Sequence, residues 1–270
     1  MNQSGWQLGG STAAGYERHL VPAIFAPWAE RLIGLAPPRP GERVLDLACG
    51  TGIVARTAAR RMEDRGQIVG VDVNEEMLQV ARAVSGELRP RIDWRRGCAC
   101  ELPFPDGSFD LLYCQQGLQF FPNWDGALKE MHRVLAPGGR LALAVWRTVD
   151  YNPGFAAFVA ALEQHVDAET ALIMRSPFAV LSQDDLRRMV EQTGLTDVRM
   201  RIGVGAARFD SAGDLIDKEE QGSPLKGPLG GLGADARAAL RADLDERLRP
   251  WTDDDGVILP MQSHFITARR

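Results

Sequence analysis

The stretch Val44-Leu45-Asp46-Leu47-Ala48-Cys49-Gly50-Thr51-Gly52-Ile53-Val54-Ala55 decides the fold. An apolar strand runs into two glycines and then into a helix. Glycines permit a tight turn and let a ligand approach the backbone with no Cβ in the way. Asp72 stands about 20 residues on, at the end of the next apolar run, where a carboxylate can accept from both hydroxyls of a ribose. Outward from this stretch the same unit repeats. QIVGVDV leads into NEEMLQVARAV, and FDLLYCQ is followed by WDGALKEMHRVL. RLALAVW closes the series after the turn Ala136-Pro137-Gly138-Gly139. Near-continuous apolar strands alternating with amphipathic helices predict a mostly parallel sheet covered on both faces.

The flanks read differently. YERHLVPAIFAPWAERLIGL is helical in pattern, with Pro22 and Pro27 breaking or kinking it, and APPRPGE is a stiff linker into the first strand. After Trp146, YNPGFAAFVAALEQHV and SQDDLRRMVEQTGL are helices, the second with Ser182 as N-cap and Gly194 as its stop. DVRMRIGVGAARF and VILPMQSHFITARR read as strands, ADARAALRADLDERLRPW as a solvated helix, and GSPLKGPLGGLG as a mobile glycine-rich segment. Insertions at about 150–180 and 211–256 are where a substrate-specific cap is expected.

The composition bounds the function. The 270 residues are 45% hydrophobic and 25% charged, with a net charge of -5 and four cysteines. This is ordinary globular usage, and an acidic chain is a poor candidate for a general nucleic-acid binder. No apolar run reaches the ~18 residues of a membrane span, and the N-terminal MNQSGWQLGGSTAAGYERH lacks a secretory pattern. A reduced, cytoplasmic enzyme or binding protein is expected, without a membrane or nucleic-acid partner.

Two cofactors fit the glycine turn. Gly50, Gly52 and Ala55 satisfy the G-x-G-x-x-G/A dinucleotide pattern. That pattern does not explain Asp46, four residues before the first glycine, because an acid there is poorly placed beside a pyrophosphate. It suits a cationic ligand such as the sulfonium S-adenosylmethionine; alternatively it ties down the loop through backbone donors.

Four segments together carry a resemblance. Asp46-Leu47-Ala48-Cys49-Gly50-Thr51-Gly52 resembles motif I of the class I S-adenosylmethionine-dependent methyltransferases, and Val69-Gly70-Val71-Asp72-Val73-Asn74-Glu75-Glu76-Met77-Leu78 resembles their second motif. Leu102-Pro103-Phe104-Pro105-Asp106-Gly107-Ser108-Phe109-Asp110 and Glu130-Met131-His132-Arg133-Val134-Leu135-Ala136-Pro137-Gly138-Gly139-Arg140 resemble the ubiquinone/menaquinone-biosynthesis-like branch, often called type 11. The resemblance implies that Asp46, Ala48, Cys49, Gly50 and Gly52 border the methionine and ribose parts of the cofactor and that Asp72 binds the ribose. It also implies that Val73 and Met77 flank the adenine, that Cys98, Ala99 and Cys100 lie at the adenine edge, and that Gln115 and Gln116 border the methionine. Met77 can equally face the core. Tyr16 resembles a tyrosine that in relatives covers the cofactor, or else packs on the surface.

Two departures stand out. Ala48 occupies a position commonly held by glycine, and Cys98 stands where relatives commonly carry an aspartate that accepts from the adenine amino group. A thiol is a weak acceptor, so adenine recognition should rest more on backbone and apolar packing. Cys98-x-Cys100, with Cys49 and Cys114 at neighbouring strand ends, could gather four thiols near one pocket; small reduced fillers rather than a metal site are expected. Among the histidines, His132 reads as structural and His165 as solvent-exposed. His19 and His264, and more weakly Tyr16, are candidates for a general base. Relatives with a histidine after the fourth strand differ from this chain, which has Gln119 and Phe120 there. Phe120, Phe121, Trp124, Trp146, Phe155, Phe158 and Phe178 read mostly as core, with a subset available to line a pocket for a planar acceptor.

The expected protein is one methyltransferase domain over 1–270: an N-terminal helical lid (1–40), a cofactor-binding core (41–147), then substrate-cap insertions and the last two strands (148–270). Its fold is α/β, a Rossmann-like seven-stranded mostly parallel sheet with the last strand antiparallel. The expected activity is methyl transfer from S-adenosylmethionine, leaving S-adenosylhomocysteine, to O, N or C of a small acceptor. A non-catalytic cofactor-binding protein and a nicotinamide oxidoreductase are the alternatives.

Overall fold

A computed structural model describes residues 8–270; the first seven residues, part of the expected lid and of the stretch read for a secretory pattern, lie outside the described residues. The chain opens with α1 (Gly10–Gly15), a π-helical segment (Tyr16–Phe25) and α2 (Ala26–Leu35). The core alternation follows as β1 (Arg43–Leu47), α3 (Ile53–Met62), β2 (Gln67–Asp72), α4 (Glu75–Ser85), β3 (Ile92–Arg96), β4 (Phe109–Gln115), α5 (Trp124–Val134) and β5 (Leu135–Trp146). Then come α6 (Pro153–His165), α7 (Ala168–Arg175), α8 (Gln183–Gln192), β6 (Thr196–Phe209), α9 (Ala212–Gly222), α10 (Lys226–Gly230), α11 (Ala234–Leu248), β7 (Thr252–Asp253) and β8 (Gly256–Arg269). The strands pair in the order β3-β2-β1-β4-β5-β8-β6, with β7 added to β8. The alternating α/β sheet predicted from the sequence is present, mostly parallel and flanked by helices. Its eighth member is the two-residue β7.

The described residues form two compact units. One holds Ala26–Val145, Leu181–Ile202 and His264–Arg270; the other holds residues 8–25, Trp146–Val180 and Gly203–Ser263.

In the first unit, β3, β2, β1, β4 and β5 pair in parallel, with Val44 opposite Ile68 and Leu111 and with Leu112 opposite Leu141. The central strands are buried on both faces: Val44, Leu45, Leu111, Leu112, Tyr113 and Leu141 to Ala144 exclude solvent completely. This burial explains their unbroken apolar runs. Arg43 secures β1 to β4, donating its backbone N–H to Asp110 at 2.9 Å and its guanidinium to the same carboxylate at 2.8 and 3.1 Å. The two later motifs form one clamp. Arg133 donates to the carbonyls of Phe104 (2.7 Å) and Leu102 (3.1 Å) and to the Asp106 carboxylate (2.8 Å), while Glu130 accepts the Leu102 N–H at 2.7 Å. Helix starts follow their capping residues. Asn74, Asn123 and Ser182 accept from the N–H groups of Glu76, Gly126 and Asp185, and Gly194 beyond α8 has φ +91°. Trp28 of α2 stacks on Phe265 of β8 with ring centroids 5.6 Å apart.

The second unit is built from the later helices. Pro22 does not end its helix; it lies inside the π-helical run, whose wider turn accommodates a residue that cannot donate. The segment expected to be mobile, GSPLKGPLGGLG, instead contains α10, because Leu225 and Leu229 are fully buried and anchor it. His165 is not solvent-exposed as expected, since its Nε2 lies 3.2 Å from Asp243 and its side chain is mostly covered. Trp146, Phe155, Phe158 and Phe178 are all buried, with Phe155 and Phe178 packed at 5.3 Å, so these rings serve the core.

Asn152, at the start of α6, is fully buried and organises the chain after β5. Its amide nitrogen donates to the carbonyls of Arg147 (3.1 Å) and Thr148 (3.0 Å), and its Oδ1 accepts the Gln262 N–H at 2.9 Å. Asn152→Ala removes the partner of three part-buried backbone groups and empties a fully buried site, so an unfolding free-energy loss of about 1–3 kcal/mol is expected in urea titration. A loss below about 0.5 kcal/mol would contradict this account.

Candidate active site

The candidate site lies in the first unit, at the carboxyl ends of β1, β2 and β4. After Leu47 the chain turns left-handed at Ala48 (φ +55°), Gly50 (φ +54°) and Gly52 (φ +85°) before α3 begins. A left-handed alanine carries a Cβ penalty, which gives a physical reason for glycine being common at this position. Gly52 has a second requirement: a Cβ there would sit 2.1 Å from the Trp94 ring. Beside Gly50, by contrast, a Cβ would meet nothing within 4 Å, so one side of the turn is open.

Asp72 holds the turn. Its Oδ2 accepts the Gly50 N–H at 2.8 Å and its Oδ1 accepts the Asn74 N–H at 2.9 Å. An ionised carboxylate has about four lone-pair positions, so acceptor capacity remains on both oxygens. Burial raises the Asp72 pKa, while the N–H groups of Asn74, Gly50 and Val73 oppose that rise.

Asp46 meets the loop-organising one of its two sequence readings: its Oδ2 accepts the Ala55 N–H at 2.9 Å. Ala55 is the third residue of α3, and Gly52 at the N-cap has no side chain to satisfy it. Asp46 therefore supplies, from β1, the acceptor that a capping serine or aspartate would supply locally. Burial pushes its pKa up to about 8; the Ala55 N–H lowers it, Asp72 adds repulsion and Arg56 partly offsets this.

Around this centre, Val73 is 47% exposed next to Asp72, whereas Met77 is buried on α4. The loop after β3 is tied in by the Gly97 N–H, which donates to the Asp72 carbonyl at 3.0 Å; Ala99 is buried, Cys98 exposed and Cys100 half-buried. Gln115 and Gln116 end β4 as buried side chains, and Gln116 is left-handed at φ +53°. Gln119 donates to Gln116 Oε1 at 3.5 Å, and its own Oε1 is buried without a partner among the described residues. His264 is buried in β8 of this unit. Tyr16 and His19 belong to the other unit, where Tyr16 packs on Phe25 at 4.9 Å.

The four thiols do not assemble into a metal site. Cys49 and Cys114 are buried fillers whose pKa values are raised by burial, and no group of three or more metal-ligating side chains occurs among the described residues. Sequence reasoning missed Trp94 and gave Gln119 no role. Trp94 faces Gly70 across the β2–β3 register, and that pairing, not any local motif, brings its ring over Gly52.

Residues 44–139 match the family described as a methyltransferase domain. The chain is 30% identical over 201 residues to a demethylmenaquinone methyltransferase from Staphylococcus aureus, covering 70% of this chain and 80% of that protein. It belongs to the S-adenosylmethionine-dependent methyltransferases. A 2-phytyl-1,4-naphtoquinone methyltransferase from Synechococcus elongatus is 38% identical over 118 residues, 43% of this chain. The chain spans about half (51%) of that relative's length. In fold it is similar to Haemonchus contortus phosphoethanolamine N-methyltransferase 2, solved in complex with S-adenosyl-L-methionine (TM-score 0.62, 20% identity, 98% of this chain and 58% of that one).

The raised carboxylates give the protein a pH signature. A carboxyl whose folded pKa lies above its unfolded value stabilises the fold fully below the unfolded value, and that contribution is lost as pH rises through the folded value. For Asp46 the window runs from about pH 4 to about pH 8. Glu219 of α9, buried and pushed up to about 7, acts in the same direction. The thermal unfolding midpoint is expected to fall between about pH 5 and pH 8, and Asp46→Asn, which keeps an acceptor for Ala55, should flatten that slope without abolishing it. An identical slope in wild type and variant would show that Asp46 is already ionised throughout.

Proposed function

We propose that the protein transfers a methyl group from S-adenosylmethionine to a small, planar quinol-like or phenolic acceptor. The observation that carries this reading is the pair of carboxylates, buried Asp46 and half-buried Asp72, beside a turn that is open at Gly50. Two acids there disfavour a pyrophosphate and favour a cationic ligand. The residues fit the cofactor: Asp72 has acceptor capacity left for ribose hydroxyls, and exposed Val73 offers an apolar face for adenine. Met77 supports that face from α4. Ala48, Cys49, Gly50 and Gly52 line the turn for the ribose and methionine parts, together with Asp46. Cys98, Ala99 and Cys100 border the adenine edge, mainly through backbone and apolar contact, and Gln115 and Gln116 border the methionine. Bound there, the cofactor would supply a methyl group already activated by its sulfonium.

The chain's own contribution is then positional. Methyl transfer is an in-line displacement, for which alignment and exclusion of water supply much of the acceleration. The turn is fixed from β1 by Asp46 and from β2 by Asp72. The unpartnered Gln119 Oε1 is a candidate to orient an acceptor's proton. A dedicated base is required only when the acceptor loses a proton during transfer, and His264 is the candidate in this unit. The named activities of the two curated relatives support a quinol-like acceptor.

The test is transfer of label from methyl-labelled S-adenosylmethionine to a panel of demethylated naphthoquinols, phenols and amines. Label in the naphthoquinol or phenol products, reduced at least about a hundredfold in kcat/KM by Asp72→Ala, is the expected result. Cofactor binding with no transfer to any acceptor would favour the non-catalytic reading, to which Cys98 in place of an adenine-binding aspartate also points.

A further inference from the structure

Cys98 and Cys100 differ from the buried thiols Cys49 and Cys114, since Cys98 is exposed and Cys100 half-buried. The Glu101 N–H donates to the Cys98 carbonyl at 3.2 Å, and the two residues form an isolated antiparallel bridge, so 98–101 is a tight turn. Inside it the Cys100 N–H donates to Cys98 Sγ at 3.4 Å, and the two side chains lie within hydrogen-bonding reach. The Cys100 thiol also donates to the Asn123 carbonyl at 3.4 Å. Residues two apart in such a turn have Cα atoms roughly 5–6 Å apart, within the span of a disulfide.

We propose that Cys98 and Cys100 form a reversible redox modification site, which closes an intramolecular disulfide on reaction with a low-molecular-weight disulfide such as oxidised glutathione and thereby weakens cofactor binding. The coupling to binding rests on the methyltransferase reading above; the disulfide itself does not. The Cys98 thiolate attacks one sulfur of glutathione disulfide. That S–S bond breaks, and the first glutathione leaves with the electron pair as its thiolate. Cys100 then gives its proton to solvent and attacks Cys98 Sγ, releasing the second glutathione. Two cysteine thiols are oxidised and one disulfide is reduced to two thiols. Burial first, and then neighbouring Cys98, raise the Cys100 pKa, so the exposed Cys98 is the point of entry. A bridge across one residue closes a small ring and stays easily reducible.

Closure removes two contacts that shape the loop, from the Cys100 N–H to Cys98 Sγ and from the Cys100 thiol to Asn123. The same loop is tied to Asp72 through Gly97, so its distortion is felt at the candidate adenine edge.

The full reduced chain is incubated with oxidised glutathione and mapped by peptide mass. The expected product lacks two hydrogen atoms in the peptide carrying Cys98 and Cys100, is restored by dithiothreitol, and is replaced by a glutathionyl adduct at Cys98 in Cys100→Ser. A wild-type reaction that stops at the adduct, or leaves both thiols free, overturns the proposal. Titration with S-adenosylhomocysteine should give about tenfold weaker affinity for the bridged form. Affinities equal within about twofold overturn the coupling. A reduced chain that binds no S-adenosylhomocysteine counts against the methyltransferase reading, while the mass result still decides the bridge.

Discussion

The site depends on one carboxylate. Asp72, at the end of β2, accepts the N–H of Gly50 from the turn after β1 and the N–H of Asn74 from its own strand end. These two bonds fix the left-handed turn against the neighbouring strand, and Asn74 in turn caps α4. Asp46 completes the frame by satisfying the third amide of α3 from inside β1. The turn is thus held by the chain's own groups, and preorganisation of this kind spares binding the cost of ordering a loop.

The frame has an electrostatic consequence. Buried Asp46 and half-buried Asp72 stand close enough for Asp72 to raise the Asp46 pKa. Their backbone partners offset only part of the burial cost, and Arg56 is the cation that acts on Asp46. On the proposed reading, a sulfonium ligand would stabilise the ionised acids and be stabilised by them. A dinucleotide's pyrophosphate would instead disfavour their ionised form.

Much of this was legible in the sequence. The strand–helix alternation, the cap at Ser182 with its stop at Gly194, and the turn at Gly50 and Gly52 are local properties, and each is present as the sequence predicts. Asp46 was recognised as anomalous because an acid inside an apolar strand needs a partner. What escaped depended on pairing across the sheet. Trp94 reaches Gly52 only through the β2–β3 register, and Leu225 and Leu229 turn a glycine-rich segment into α10 by finding a core to enter. His165 is covered by a contact no local pattern shows, since Asp243 lies 78 positions away in sequence on α11. The clamp of Arg133 on residues 102–106 gives two family motifs a structural purpose that a catalytic reading would not have supplied.

On the proposed reading, the turn held by Asp72 receives S-adenosylmethionine and its product S-adenosylhomocysteine, and not a dinucleotide. Calorimetric titration of the reduced chain with S-adenosylhomocysteine and, separately, with NADH tests this most directly. The account predicts binding of S-adenosylhomocysteine in the micromolar range or tighter, with no heat of binding from NADH. Binding of NADH alone would contradict it, leaving Gly50, Gly52 and Asp72 as a dinucleotide site.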